Sequence, residues 1–145
     1  MKLRIQAIAV VSSIIPVSVS AEPANFLCNS PSGYANYTSE LKGWKPDGMT
    51  DGVFELTFAG NLSDVSVGFG KPVKKLSSEG VVMPLFERED FFALAVLYPK
   101  NGIIENFAVS RANGTWQLLW TQIRDAGLSK QPGKVAAYSA KCVRK

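Results

Sequence analysis

An Asn-Gly pair set between two apolar-rich runs is the feature that most limits how this chain can fold. Both residues of Asn113-Gly114 tolerate the positive φ that a two-residue type I′ turn requires. Such a turn pairs Ala112 with Thr115, and the register of the hairpin follows. Arg111 then faces Trp116, Val109 faces Leu118, Phe107 faces Trp120, and Glu105 faces Gln122. These pairs share one face, because side chains alternate along a strand. The other face carries Ser110 with Gln117, Ala108 with Leu119, and Asn106 with Thr121. One face is aromatic and aliphatic in its middle, and the other is mostly small and polar. That is the pattern of an antiparallel pair with one buried side.

The run Phe-Phe-Ala-Leu-Ala-Val-Leu-Tyr over 91–98 is apolar on both faces and predicts an interior strand. A four-residue loop, Pro99-Lys100-Asn101-Gly102, would join it to the strand over 103–111. Phe92, Leu94, Val96 and Tyr98 then share the face of Phe107 and Trp120. A bulge at Gly102 would shift the register by one residue and reverse that assignment.

The remaining strands are expected at 52–60, 65–69, 81–86 and 135–143, with a first strand or its lead-in around Cys28. Pro84 marks the 81–86 strand as an edge or bulged strand. Residues 29–42 show no clean period, and a short helical turn is expected near 39–42. Lys45-Pro46-Asp47-Gly48 and Asp51-Gly52 read as consecutive turns, and 74–80 as a polar loop. The expected fold is all-β, a single antiparallel meander of about seven to eight strands closing as a small barrel or a sandwich. In size and disulfide it resembles a lipocalin-like barrel in the loose sense. The Gly-x-Trp of the first lipocalin strand is absent, since Gly43-Trp44 is adjacent rather than spaced.

Residues 1–21 read as a secretory signal. Lys2 and Arg4 precede an apolar segment, and Ser18-Val19-Ser20-Ala21 offers a small-residue cleavage site. The run is too short and too broken, by Ser12, Ser13 and Pro16, to span a membrane. Residues 22–145 would then form a single secreted β domain, in the bacterial periplasm. The full chain has 16 Lys+Arg against 12 Asp+Glu. Losing Lys2 and Arg4 leaves a nearly neutral domain, which argues against nucleic acid as a partner. Lys71, Lys74 and Lys75 form a solvated basic cluster, and Lys141, Arg144 and Lys145 a solvated tail. Cys28 and Cys142 bracket the domain and are expected to form one terminal disulfide.

The chemistry on offer is limited. The chain has no His, so Ser-His and Cys-His nucleophile pairs are excluded. No metal, cofactor or catalytic residue is expected, and the chain reads as a non-enzyme. Glu105 is expected as a rim charge near Arg124, and Glu55 as a solvent-facing strand position. Two functions fit. One is a protein-interaction or envelope-associated module. The other is a small-barrel carrier for an apolar or aromatic small molecule, with Phe92, Leu94, Phe107, Trp116 and Trp120 as the candidate ligand-facing or core residues.

Overall fold

The computed structural model describes residues 22–39 and 43–145. The signal-like segment and most of the expected turn near 39–42 lie outside them. The described chain is one antiparallel sheet of ten strands. They are β1 (Ala24–Tyr37), β2 (Lys45–Gly48), β3 (Gly52–Phe58), β4 (Asp64–Phe69), β5 (Lys74–Lys75), β6 (Val81–Glu87), β7 (Phe91–Tyr98), β8 (Ile103–Ala112), β9 (Thr115–Arg124) and β10 (Lys134–Arg144). A single 3-10 turn, Leu76–Ser78, follows β5. The spatial order is β5-β4-β3-β1-β10-β9-β8-β7-β6, with β2 also paired to β1. The path ends at β5 and β6, and the sheet curls into a half-barrel.

The hairpin register read from Asn113-Gly114 is the one formed, from Ala112↔Thr115 through Phe107↔Trp120 to Glu105↔Gln122. Asn113 and Gly114 have φ of 51° and 77°, as the turn demands. Tyr98 pairs with Ile103 across the four-residue loop, so β7 keeps Phe92, Leu94 and Val96 on the inner face, all buried. The concave side is an aromatic core. Phe26 packs on Phe58 at 5.9 Å and on Trp116 at 4.8 Å. Phe107 stacks on Trp120 at 6.1 Å, and Trp120 on Tyr138 at 4.4 Å. The outer side carries a row of aliphatic side chains. Val81, Leu97, Ile104, Ile123 and Val135 follow one another as cross-strand partners over β6 to β10.

Four expectations are corrected. Asn29–Tyr37 is not irregular: β1 runs for 14 residues, with a register shift between Asn29 and Ser32. Ser30 takes a positive φ of 49° there, and the bulge flips the alternation that a strand would otherwise show. Before the bulge β1 pairs with β3, and after it with β2. Residues 45–48, read as a turn, are therefore a strand, because Ser32–Ala35 offers them a ladder. The last residues are no solvated tail. Lys145 Nζ pairs with Glu55 at 2.6 Å, and Arg144 lies over Phe26, Phe92 and Trp116. Residues 74–80, expected as a polar loop, instead hold β5 and the 3-10 turn, because Leu76 is buried in the core, and Lys74 pairs with Glu79 at 2.7 Å.

Cys28 and Cys142 are bonded, across a sequence separation of 114 residues. They are directly opposed partners on β1 and β10. Just past the bulge, Gly33 lies against the backbone of β10. A Cβ there would stand 1.9 Å from the Ala137 carbonyl oxygen. Gly33→Ala should therefore destabilise by about 1–3 kcal/mol by forcing β1 off β10. Thermal unfolding checks this. An unchanged midpoint would mean that the two strands are not this close.

Candidate functional site

The inner face stops being purely apolar at one end of the half-barrel, where β7 ends and β8 begins. There the hairpin register turns Glu105 inward. Its neighbours come from the flanking strands, Tyr98 on β7 and Gln122 on β9. Gln122 Nε2 donates to Glu105 Oε1 at 2.6 Å, and the Tyr98 hydroxyl donates to Oε2 at 3.2 Å. Glu105 is only 7% exposed. Its reading as a rim charge is corrected, because Met49 after β2 and Leu76 after β5 border this end in a way no local pattern shows.

A cleft of about 290 Å³ opens beside this carboxyl. Met49, Phe54, Val67, Leu76, Ile103 and Trp120 give it apolar walls, and Lys74 and Glu79 stand at its margin. Trp120 is 9% exposed. Its Nε1 is buried without a hydrogen-bond partner. Such an orphan donor is uncommon in a folded protein and costs about 1–3 kcal/mol. The indole N–H favours the ionised form of Glu105, but from outside hydrogen-bond geometry.

Behind the cleft, Asp47 of β2 clasps three strands together. Its carboxylate accepts from the Tyr37 hydroxyl at 2.9 Å, the Tyr138 hydroxyl at 2.7 Å and the Gly48 amide at 2.8 Å. Lys134 Nζ lies 2.9 Å away, with side-chain exposures of 12% for Lys134 and 24% for Asp47. The ammonium also sits 5.3 Å from the Tyr37 ring and 5.2 Å from the Tyr138 ring.

The two acids are pushed in opposite directions. For Glu105, desolvation raises the pKa from its ordinary 4.5, and the Gln122 and Tyr98 donors and the Lys134 charge only partly offset it. For Asp47, desolvation also pushes upward, but Lys134, Tyr138, Tyr37 and the Gly48 amide outweigh it and hold the carboxyl far below 3.8. Burial pushes the Tyr138 hydroxyl up to about 12. Burial, and then the charge of Glu105, raises Tyr98.

Opposite signs follow for stability. Glu105 binds its proton more tightly when folded. Its stabilisation is complete below pH 4.5 and is lost as pH rises through the raised folded pKa. Asp47 contributes above pH 3.8, and that contribution is lost as pH falls towards its depressed folded pKa. Glu105→Gln should therefore flatten the fall in unfolding free energy on the neutral side. Asp47→Asn should flatten the acid limb and lower stability at pH 7 by about 2 kcal/mol. Urea unfolding across pH measures both. A Glu105→Gln variant with the slope of the parent would show that Glu105 is not buried.

Of the five residues singled out from the sequence, Trp120 alone lines this cleft. Phe92, Leu94 and Phe107 are buried in the packed interior. Trp116 is half-buried at the opposite end, where Phe26, Phe92 and Arg144 surround it. Glu105, Gln122 and Tyr98 were missed as a group, although the hairpin register had already paired the first two. Among the described residues no group of His, Cys, Asp and Glu is arranged to hold a metal, and no helix is long and apolar enough to cross a membrane. No protein-family model, no curated protein and no solved structure matches this chain.

Proposed function

We propose that this chain is a non-catalytic β domain that binds a compact, largely apolar small molecule in the cleft beside Glu105. The observation that carries this reading is the pairing of a buried acid with an unpartnered buried donor, Trp120 Nε1, at an apolar concavity. A packed core has no use for such a pair, whereas a binding site uses a few convergent polar groups in an apolar wall to orient its ligand. The other acid at the cleft, Glu79, is already tied to Lys74. The bonded cysteines support an oxidising compartment. With the signal-like residues 1–21, they favour an exported protein, with the periplasm as the expected location.

The alternative, an interaction or envelope-associated module, draws on the outer row of Val81, Leu97, Ile104, Ile123 and Val135. It ranks second, because the row holds no buried polar group that would orient a partner and nothing in the structure says what covers it.

A panel of one-ring aromatic and aliphatic probes, followed through the indole N–H resonances, tests the first reading. The Trp120 signal should move while that of Trp116 stays put, and Met49→Trp, which fills the cleft, should abolish the shift. A panel that leaves the Trp120 signal unmoved removes the cleft as a ligand site.

A further inference from the structure

Resting on the cleft being a ligand site, we propose that it selects a neutral ligand whose apolar body carries one acceptor oxygen of the carbonyl type, to which Trp120 Nε1 and the Glu105 carboxyl both donate. The indole of Trp120 sets the first constraint. Its N–H can only donate, and it is buried with no acceptor. A cationic or purely hydrocarbon ligand would leave it as it is. A carbonyl oxygen lodged between Nε1 and the Glu105 carboxyl satisfies it.

The charges around Glu105 point the same way. From β7 it is faced by the Tyr98 hydroxyl, from β9 by Gln122 and Trp120, and from β10 by Lys134. Lys134 is already neutralised by Asp47 of β2 at 2.9 Å. Across the cleft Lys74 and Glu79 neutralise each other at 2.7 Å. An ionised Glu105 would thus be one buried negative charge that shares Lys134 with Asp47 and has no counter-ion of its own, whereas the neutral acid leaves the site balanced. A neutral acid has an O–H to give. Two donors converging on one ligand oxygen are what an acceptor-bearing molecule requires, and they repel nothing in it.

The walls set its size. Phe54 and Trp120 offer ring surfaces and Met49, Leu76 and Ile103 aliphatic ones. At about 290 Å³ the cleft is just below the volume of drug-sized sites. It suits a one-ring molecule.

Three one-ring probes decide the matter: acetophenone, ethylbenzene and benzylamine. Each is titrated into the intact disulfide-bonded protein from pH 4 to 9 and followed through the Trp120 indole N–H resonance. Acetophenone should bind at least tenfold more tightly than ethylbenzene. Its affinity should fall with rising pH once Glu105 ionises, by up to tenfold per unit. Trp120→Phe keeps a ring but removes the reporting N–H, so it is titrated by calorimetry, and it should erase the preference for acetophenone. Glu105→Gln keeps a neutral donor, and should retain binding while removing its pH dependence. Even if Trp120→Phe folds poorly, Glu105→Gln keeps the proposal open to refutation.

Equal affinity for ethylbenzene and acetophenone would overturn the selection and leave the cleft reading intact. Tighter binding of benzylamine, strengthening with pH, would overturn it in favour of an ionised Glu105 that recognises amines. No response to any of the three would end both.

Discussion

Serine at both Cys28 and Cys142 should lower the unfolding free energy by about 4–5 kcal/mol, the loop-entropy expectation for a closure of this length. The bond spans 114 residues. It joins partners that the β1–β10 ladder already opposes, so removing it takes little from the folded sheet. Its effect falls on the unfolded chain, which gains freedom when the link is cut. The denaturant slope should rise as well, because an unlinked chain exposes more surface. Against a typical total of 5–15 kcal/mol, the loss is large enough to leave the domain marginal. Urea unfolding of the parent and the double variant measures it. A difference below about 1 kcal/mol would mean that the unfolded state stays compact without the bond.

Trp120→Ala should cost about 3–5 kcal/mol. The ring is packed against Phe54 at 5.1 Å, Phe107 at 6.1 Å and Tyr138 at 4.4 Å, so its loss opens a void that three rings border. Gln117 lies on the same strand but on the exposed outer face. Gln117→Ala should stay within about 0.5 kcal/mol of the parent. Thermal unfolding of the two variants side by side reads the face assignment directly. Equal losses would put the inner face on the outside.

The hairpin β8–β9 was legible in the sequence because its turn is chemically demanding. Few pairs other than Asn113-Gly114 accept two positive φ angles in succession, and once the turn is placed the period of two carries the register along both strands. The interior position of β7 was legible for a different reason, its apolar side chains on both faces. β1 was not legible. Ser30 and Pro31 interrupt its alternation at the bulge, so the half beyond it reads as loop. Nor was β2, in which Pro46 and Gly48 imitate a turn. It is a strand only because distant Ser32–Ala35 pairs with it, a tertiary override of local preference.

The site was half visible. The register put Glu105 and Gln122 opposite each other on the inner face. What hid the cleft was coverage: Met49 after β2 and Leu76 after β5 are remote in sequence from Glu105. The orphaned state of Trp120 Nε1 depends on side-chain placement that no spacing encodes.

The pairing of β1 with β10 also bears on how the molecule comes into being. The two outermost strands of the sequence lie side by side in the middle of the sheet, and the Lys145 amide donates to the Asn25 carbonyl. The hairpins on either flank can form from neighbouring residues, but the seam that unites them waits until β10 meets β1. Such a layout has high contact order, which places its folding in the millisecond-to-second range rather than the microsecond range. A chain without β10 therefore lacks its central ladder, and the hairpins of its two flanks have no strand to join them into one sheet.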